Sequence, residues 1–318
     1  MAAGQVVSET IFVPASDDPA IRLHVRNKRL AGVSSFGPDR IVLFVHGATY
    51  PSESAFDLDL PGGSWLDIAA SRGFDAYMMD VRGYGRSTRP ASMEQAPDRN
   101  PPFADTADAV RDVAAVVDFI RKRRGVTSIN LVGWSWGTTI MAGYTAQNND
   151  AVNKLVLYAP LWLVREAPPI SGAGAYRTVT KENARKRGSN GLPADRVEEL
   201  SPTAWFEQWW SANLASDPVG ASQNPPVVRA PNGVLKDLAQ YWTKGKPWYD
   251  PKAIRVPTMI VVAEWDRDTP PYMAQELFGL MTNTRDKRLV MLGEGTHAIV
   301  LEKNRMKLIE SVQHFLEN

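Results

Sequence analysis

Leu131-Val132-Gly133-Trp134-Ser135-Trp136-Gly137 joins an apolar run to a segment of helical character through the pattern G-x-S-x-G. A strand that turns sharply into a helix holds the residue at the turn in a strained backbone conformation and pushes its side chain above the sheet. Glycine two positions before and two positions after that residue removes Cβ atoms that would collide. A random chain of this length shows the pattern roughly one time in ten, so the surrounding sequence has to support the interpretation.

Apolar runs alternate with helical patterns along most of the chain, and such runs are typical of strands buried on both faces of a parallel sheet. The predicted strands are 40–45, 74–80, 128–133, 154–158, 258–263 and 288–292, and the predicted helices are 63–71, 106–124, 138–147, 271–280 and 304–316. Two earlier β-rich segments, 6–13 and 20–28, predict an antiparallel pair at a sheet edge. The alternation predicts an α/β fold with a mostly parallel sheet flanked by helices.

The regular alternation stops between Pro160 and Pro251, where prolines and short amphipathic pieces replace it, and six of the ten tryptophans lie there. We predict that residues 160–251 form an inserted, mainly helical cap over the active site, and that 1–159 and 252–318 form the core. The tryptophans would either line an apolar pocket or attach the cap to the body. We assign Trp162 and Thr49 to the substrate pocket.

Arg177, Lys181 and Arg185 form a basic stripe at helical spacing within the predicted cap. We interpret this stripe as a solvated helix face, with a gate for anionic substrates as the alternative.

The charges nearly cancel, with 36 Lys and Arg against 35 Asp and Glu, so no strong overall field favours nucleic acid or an anionic membrane. A small-molecule substrate with an apolar or aromatic part fits better. The absence of cysteine excludes disulfides, zinc-thiolate sites and a cysteine nucleophile. The first residues lack the features of a signal peptide and no segment reaches the ~20 apolar residues of a membrane span, which predicts a soluble cytoplasmic protein. The sequence leaves the oligomeric state open.

A serine hydroxyl becomes a strong nucleophile only with a base nearby, and histidine is the usual base. Of the four histidines, His297 alone follows a glycine-bearing loop at the end of the last predicted strand. Ligands of open α/β sheets bind at that edge. We therefore predict that His297 is the base for Ser135. His46, beside Gly47, is expected to fix the shape of its loop, and His24 and His314 are expected to be structural.

Asp266 and Asp268 compete to be the acid that orients His297. Asp266 lies closer to the end of the strand, whereas Asp268 could instead cap the helix that begins near Pro270. We predict Asp266, which would hold the imidazole in one tautomer and stabilise the imidazolium.

Acyl transfer also needs hydrogen-bond donors for the developing oxyanion. The backbone N–H of Trp136 is suited to this role because it is the first residue of the helix after Ser135. The second predicted donor is the N–H of Ala48, in the loop that follows the strand 40–45.

At these residues the chain resembles capped α/β-hydrolase-fold enzymes. The resemblance spans nearly all of residues 20–318 and rests on five motifs in order: the His46-Gly47 loop, D-x-R-G-x-G-x-S at 80–87, the elbow at 133–137, D-x-x-x-P from Asp266 to Pro270, and His297 followed by Glu302. It implies an eight-stranded sheet, no metal and no organic cofactor. It also implies that Ser135 is the nucleophile, Asp266 the acid and His297 the base, with Ala48 and Trp136 as the oxyanion donors.

Two positions depart from the family pattern. Ala263 stands where a glycine often precedes the acid, and the usual G-x-G-H is lengthened to Gly293-Glu294-Gly295-Thr296-His297, so the loop that carries the base is expected to differ in shape. Serine in place of aspartate at the elbow argues against the dehalogenase and epoxide-hydrolase branches.

The leading interpretation is a carboxylesterase-like serine hydrolase. The motifs also resemble proline iminopeptidases, which would require cap carboxylates such as Glu166 or Glu207 to bind a free amino terminus. A ligand-binding protein without turnover is a further alternative. Perhydrolase and C–C bond hydrolase chemistry also stay open, because the same three residues serve several reactions.

Overall fold

The computed structural model describes residues 4–166 and 174–318. Its central sheet contains eight strands: β1 Val6–Pro14, β2 Arg22–Leu30, β3 Ile41–Val45, β4 Asp75–Met79, β5 Ile129–Trp134, β6 Val152–Tyr158, β9 Thr258–Ala263 and β10 Lys287–Leu292. Their order is β1-β2-β4-β3-β5-β6-β9-β10. Only β1 with β2 and β2 with β4 pair antiparallel, which confirms the edge pair and the mostly parallel sheet. None of the helices in these two described ranges is long and apolar enough to cross a membrane.

Helices cover both faces of the sheet: α1 Ser52–Phe56, α2 Trp65–Ser71, α3 Thr106–Arg124, α4 Trp136–Gln147, α10 Pro271–Leu280 and α11 Met306–Glu317. Alternate residues of each buried strand face opposite ways. Ile41 and Leu43 of β3 therefore join the core cluster that contains Val113 of α3. Val42 and Phe44 join the cluster that contains Trp65 of α2.

The chain between β6 and β9 contains, within its described part, a two-stranded antiparallel sheet and five α-helices: β7 Tyr176–Thr180, α5 Lys181–Gly188, α6 Val197–Leu200, α7 Thr203–Ala215, α8 Pro218–Ala221, β8 Val227–Pro231 and α9 Gly233–Gln240. We call residues 160–251 the insertion. Its strand pair was not predicted. Arg177 belongs to β7, so it is not part of a helical stripe with Lys181 and Arg185 of α5, as the sequence spacing suggested.

Helix α3 shows why the predicted helix boundaries are accurate where capping residues are present. The side chain of Asp105 accepts from the N–H of Asp108, and the Asp108 side chain accepts from the N–H of Asp105, so two otherwise unpaired donors at the helix start are satisfied. Gly125 ends the helix at a φ of 65°, a left-handed conformation that glycine adopts without strain.

Candidate active site

Ser135 occupies the turn between β5 and α4 with a φ of 56° and a ψ of −121°, a region that non-glycine residues rarely adopt. Neighbouring backbone makes the flanking glycines necessary. A Cβ on Gly133 would lie 2.3 Å from the carbonyl oxygen of Gly137, and a Cβ on Gly137 would lie 2.6 Å from that of His46. The G-x-S-x-G pattern therefore has the steric cause that the sequence interpretation proposed.

His297 and Asp266 form a close pair at the carboxyl edge of the sheet. Nδ1 of His297 lies 2.9 Å from Oδ2 of Asp266. Asp266 is buried and its Oδ1 also accepts from the backbone N–H groups of Asp268, at 2.9 Å, and Thr269, at 2.8 Å. Since a carboxylate only accepts, the pair keeps the imidazole proton on Nδ1 and leaves Nε2 able to accept a proton.

Burial by itself lowers the pKa of His297, but Asp266 and, less strongly, Asp268 raise it, and the net pKa lies above the ordinary value. Thr269 lies beside both partners, with Oγ1 at 2.9 Å from Oδ2 of Asp266 and 3.2 Å from Nδ1 of His297. Sequence reasoning did not select Thr269, although its place three residues after Asp266 marks an Asx-type turn.

Asp268 has a different partner. Its Oδ2 accepts from Nε of Arg187 at 2.8 Å, and this attraction lowers the pKa of Asp268 against the opposing effect of burial. From the sequence, Asp268 and Asp266 were both candidates for the acid that contacts His297. In the structure Asp266 contacts the Nδ1 nitrogen of His297 directly, while Asp268 pairs with a guanidinium.

The loop after β3 carries His46, Gly47 and Ala48. Nδ1 of His46 lies 2.6 Å from the carbonyl oxygen of Gly47, and Nε2 accepts from the N–H of Val81 at 3.1 Å. These two bonds require a neutral imidazole with its proton on Nδ1, and burial lowers the pKa of His46 accordingly. The expectation that His46 shapes the loop agrees with this geometry. The bond to Gly47 polarises the peptide group that also contains the N–H of Ala48.

Neither of the two predicted oxyanion donors has a hydrogen-bond acceptor within the described part of the protein. The N–H of Ala48 donates to no backbone carbonyl there, and the N–H of Trp136 begins α4, where the first amides lack partners within the helix. Gly47 brings the loop close to the nucleophile, since a Cβ on it would lie 3.0 Å from Cβ of Ser135. The two N–H groups are therefore free to bind an oxygen of a ligand.

A cavity with an empty volume of about 840 Å³, including space open to solvent, adjoins Ser135 and His297. Most of its wall is apolar, and the insertion supplies part of it: the lining includes Leu58, Leu60, Leu301, Trp205, Phe206 and Trp209. Thr49, which we assign to the substrate pocket from the sequence, also lines the cavity. The size and apolar character suit a small organic molecule.

Trp162 is not part of this lining, contrary to the assignment made from the sequence. It is buried in the core of the body, with its ring centroid 5.5 Å from that of Tyr249.

The two indoles next to the nucleophile have different surroundings. Trp134 lines the cavity and stacks on Tyr158, whereas the Trp136 indole is fully buried and donates to Oγ1 of Thr106 at 2.9 Å.

Two further residues of the cavity were given no functional role in the sequence analysis. Arg187 at the end of α5 lines the cavity, and so does Glu302. Oε1 of Glu302 accepts from the N–H of Thr296 at 3.2 Å and also from its hydroxyl group. Burial raises the pKa of Glu302 to about 7. Glu302 thereby holds the residue that precedes His297.

The carboxylates proposed for the peptidase alternative lie elsewhere. Glu207 is exposed and pairs with Nζ of Lys181 at 2.6 Å, and neither Glu207 nor Glu166 belongs to the cavity lining.

The family described as "Serine aminopeptidase, S33" matches residues 37–304. The chain therefore belongs to this family of α/β-hydrolase-fold proteins. The curated protein Lipase member M of Homo sapiens is 31% identical over 136 residues, which cover 41% of this chain and 31% of that protein. The chain thus spans about a third of the length of that relative.

Solved hydrolases share the fold along almost the whole chain. A hydrolase from Pseudomonas aeruginosa PA01 superposes with a TM-score of 0.67 at 17% identity, covering 98% of this chain and 99% of that one. An esterase from Thermogutta terrifontis superposes with a TM-score of 0.62 at 16% identity, covering 97% of this chain and 98% of that one. An esterase from Exiguobacterium antarcticum superposes with a TM-score of 0.61 at 19% identity, covering 98% of this chain and 100% of that one. These structures show the shared fold, and the family identifies the chain as an enzyme of the serine hydrolase type.

Proposed function

We propose that this enzyme hydrolyses esters of small carboxylic acids through an acyl-enzyme, with Ser135 as nucleophile, His297 as general base and acid, and Asp266 as the residue that orients His297. The observation that carries the proposal is the pairing of His297 with Asp266 beside a cavity that also contains the strained Ser135. The esterase function of the structural neighbours supports the same reaction class.

In the first half of the reaction, Oγ of Ser135 forms a bond to the ester carbon while its proton passes to Nε2 of His297. The N–H groups of Ala48 and Trp136 stabilise the negative oxygen, each worth about 3 kcal/mol in comparable sites. The intermediate collapses by breaking the bond to the alcohol oxygen, which takes the proton from His297. Water then repeats the same steps on the acyl-enzyme and releases the acid.

The cavity walls support a substrate with an apolar part. Trp205, Phe206 and Trp209 belong to α7 of the insertion, so residues 160–251 would act as the cap that separates the reacting atoms from water. Exclusion of water strengthens the hydrogen bonds to the oxyanion.

Covalent labelling tests the proposal. A fluorophosphonate probe should add to one serine of the native protein, identified by peptide mass spectrometry as Ser135, and Ser135→Ala should neither be labelled nor hydrolyse 4-nitrophenyl butyrate. Ser52→Ala serves as control, because Ser52 is buried and its hydroxyl bonds the carbonyl of Met79. Equal labelling of wild type and Ser135→Ala would overturn the proposal.

The family description favours one second candidate, an aminopeptidase. Such an enzyme needs a carboxylate to bind the free amino group of its substrate, and the cavity offers Asp268, already paired with Arg187, and Glu302, whose pKa is raised to about 7. Ester cleavage therefore has the stronger support. Release from prolyl-4-nitroanilide compared with 4-nitrophenyl butyrate separates the two, and a preference for the anilide would favour the peptidase.

A further inference from the structure

Two arginine side chains of the insertion meet at one hydroxyl group in the cavity wall. Oγ1 of Thr49 accepts from Nη2 of Arg177 at 3.0 Å and from Nη1 of Arg187 at 3.0 Å. Thr49 directly follows Ala48, whose N–H is the proposed oxyanion donor. With both lone pairs of the oxygen engaged, the hydroxyl proton of Thr49 is left to donate to another group.

Arg177 places a partly buried positive charge beside this hydroxyl. Its further acceptors are neutral oxygens, namely the carbonyls of Ala48 at 2.6 Å and Pro231 at 2.6 Å and Oδ1 of Asn232 at 3.2 Å. Throughout the described ranges, no carboxylate pairs with it. Burial and the repulsion of Arg187 both lower its pKa, but a guanidinium keeps its proton in proteins. A partly buried cation without a carboxylate partner is stabilised when an anion binds beside it.

Arg187 lines the cavity and has an unpaired nitrogen on its guanidinium. Nε bonds Asp268 and Nη1 bonds Thr49, and Nη2 has no acceptor among residues 4–166 and 174–318. The Arg187 side chain is 44% accessible to solvent. Of these two cations, only Arg187 pairs with a carboxylate, that of Asp268. Two buried carboxyl groups near the cavity have other partners: Asp266 is engaged by His297 and by the amides of its own turn, and Oε1 of Glu302 accepts from Thr296.

Tyr50 adds a further donor at the same wall. Its hydroxyl is buried and has no hydrogen-bond partner within the described structure. Burial raises the pKa of Tyr50 to about 12, so the phenol keeps its proton and is an unsatisfied donor on a residue that lines the cavity.

We propose that this wall is a subsite for a carboxylate carried by the substrate, with Nη2 of Arg187 and the hydroxyl of Thr49 as donors and the charge of Arg177 as support. This inference rests on the proposed ester hydrolysis and names its substrate class: esters that bear a free carboxylate close to the scissile carbonyl, because Thr49 adjoins the oxyanion loop. The apolar remainder of the cavity contacts the rest of the molecule.

Matched substrates test the subsite. Monoethyl esters of dicarboxylic acids from malonate to adipate are compared with the corresponding ethyl ester amides, in which a neutral carboxamide replaces the carboxylate. A second pair, 3-acetoxypropanoate and 3-acetoxypropanamide, places the charge on the alcohol side. In at least one pair, wild type should prefer the anion by about tenfold or more in kcat/KM, as expected for a charge-assisted bond. Increasing salt should reduce this preference.

Arg187→Gln should abolish the preference, because it removes the charge and the free donor, while Lys186→Gln, at an exposed neighbour on the same helix, should keep it. For each variant, kcat/KM for the anion is divided by kcat/KM for the amide at one pH. A change in the pKa of His297 affects both substrates equally and cancels in this ratio. Equal kcat/KM values for anion and amide in wild type, or an unchanged ratio in Arg187→Gln, would overturn the subsite.

A binding measurement separates this inference from the proposed reaction. Calorimetric titration with glutarate and adipate should detect binding to wild type and to Ser135→Ala, and none to Arg187→Gln. If the fluorophosphonate fails to label Ser135 but dicarboxylates bind through Arg187, the proposed function fails and the subsite stands. If labelling succeeds and no dicarboxylate binds, the subsite is wrong.

Discussion

Nδ1 of His297 lies 2.9 Å from Oδ2 of Asp266, and this contact sets the protonation of the imidazole. Burial lowers the pKa of His297 and the nearby carboxylate raises it, with a net value above the ordinary 6.5. The base must be neutral to accept a proton. We therefore expect kcat/KM for an uncharged ester to rise with pH, with an inflection above 6.5. A pH profile recorded from about pH 5 to about pH 9 checks this expectation.

Asp266→Asn should move that inflection to lower pH and reduce kcat by about 10⁴-fold, because the amide neither attracts the imidazolium nor keeps the required tautomer. A pH profile whose inflection is the same in this variant and in wild type would contradict the assignment.

Asp268→Asn distinguishes the two aspartates that compete in the sequence. Asp268 also raises the pKa of His297, but less strongly than Asp266 does, and its Oδ2 contacts Arg187. We expect a small shift of the inflection to lower pH and a loss of kcat of no more than about tenfold for the uncharged ester. A loss as large as that of Asp266→Asn would assign the orienting role to Asp268.

Gly47→Ala should lower kcat strongly, because the added Cβ would lie 3.0 Å from Cβ of Ser135 and would displace the nucleophile or the oxyanion loop. We expect a loss of about 10²-fold, the scale of a displaced catalytic group. Gly188→Ala is the matched control: Gly188 also lines the cavity, but nothing lies within 4 Å of the added atom. Equal kcat values for Gly47→Ala and wild type would contradict the close approach.

Glu302→Gln should change how stability depends on pH. Burial raises the pKa of Glu302 to about 7 in the folded protein, against 4.5 ordinarily. The proton bound in the folded state therefore stabilises the protein below pH 4.5, and this contribution disappears as the pH rises through 7. Glutamine can still accept from Thr296 and cannot ionise.

Relative to wild type, Glu302→Gln should gain roughly 2 to 3 kcal/mol in the free energy of unfolding at pH 8 and little at pH 4.5, measured by urea unfolding. Glu182→Gln, at an exposed glutamate of α5, controls for the lost charge. A difference from wild type that does not vary with pH would refute the raised pKa.

Trp205→Ala should shift substrate preference towards longer chains, because this indole belongs to the cavity wall. Initial rates for 4-nitrophenyl esters from acetate to decanoate should show the optimum move by two or more carbons. Trp162→Phe should leave the optimum in place and reduce stability, since Trp162 is buried against Tyr249. A shift in Trp162→Phe alone would restore Trp162 to the substrate pocket.

The order and type of the main elements followed from local patterns. Continuous apolar runs marked the parallel strands, and capping residues such as Asp105 and Gly125 marked the ends of α3. Those signals are local because hydrophobic periodicity and backbone preference act over a few residues. The short strands β7 and β8 were missed, since a two-stranded pair in a proline-rich stretch has little periodicity of its own.

The sequence alone determined the α/β architecture and selected Ser135, Asp266 and His297 as one proposed set, because each follows a strand end and parallel strands bring their ends to one edge. The surroundings of these residues came only from tertiary structure. Trp134 and Trp162 each lie at or just after the end of a strand and are both buried, yet of the two only Trp134 lines the cavity. Arg177 and Arg187 are ten residues apart on a strand and a helix, and they converge on Thr49 only when the insertion packs against the loop after β3. Such convergence depends on the geometry of distant segments, which no local pattern encodes.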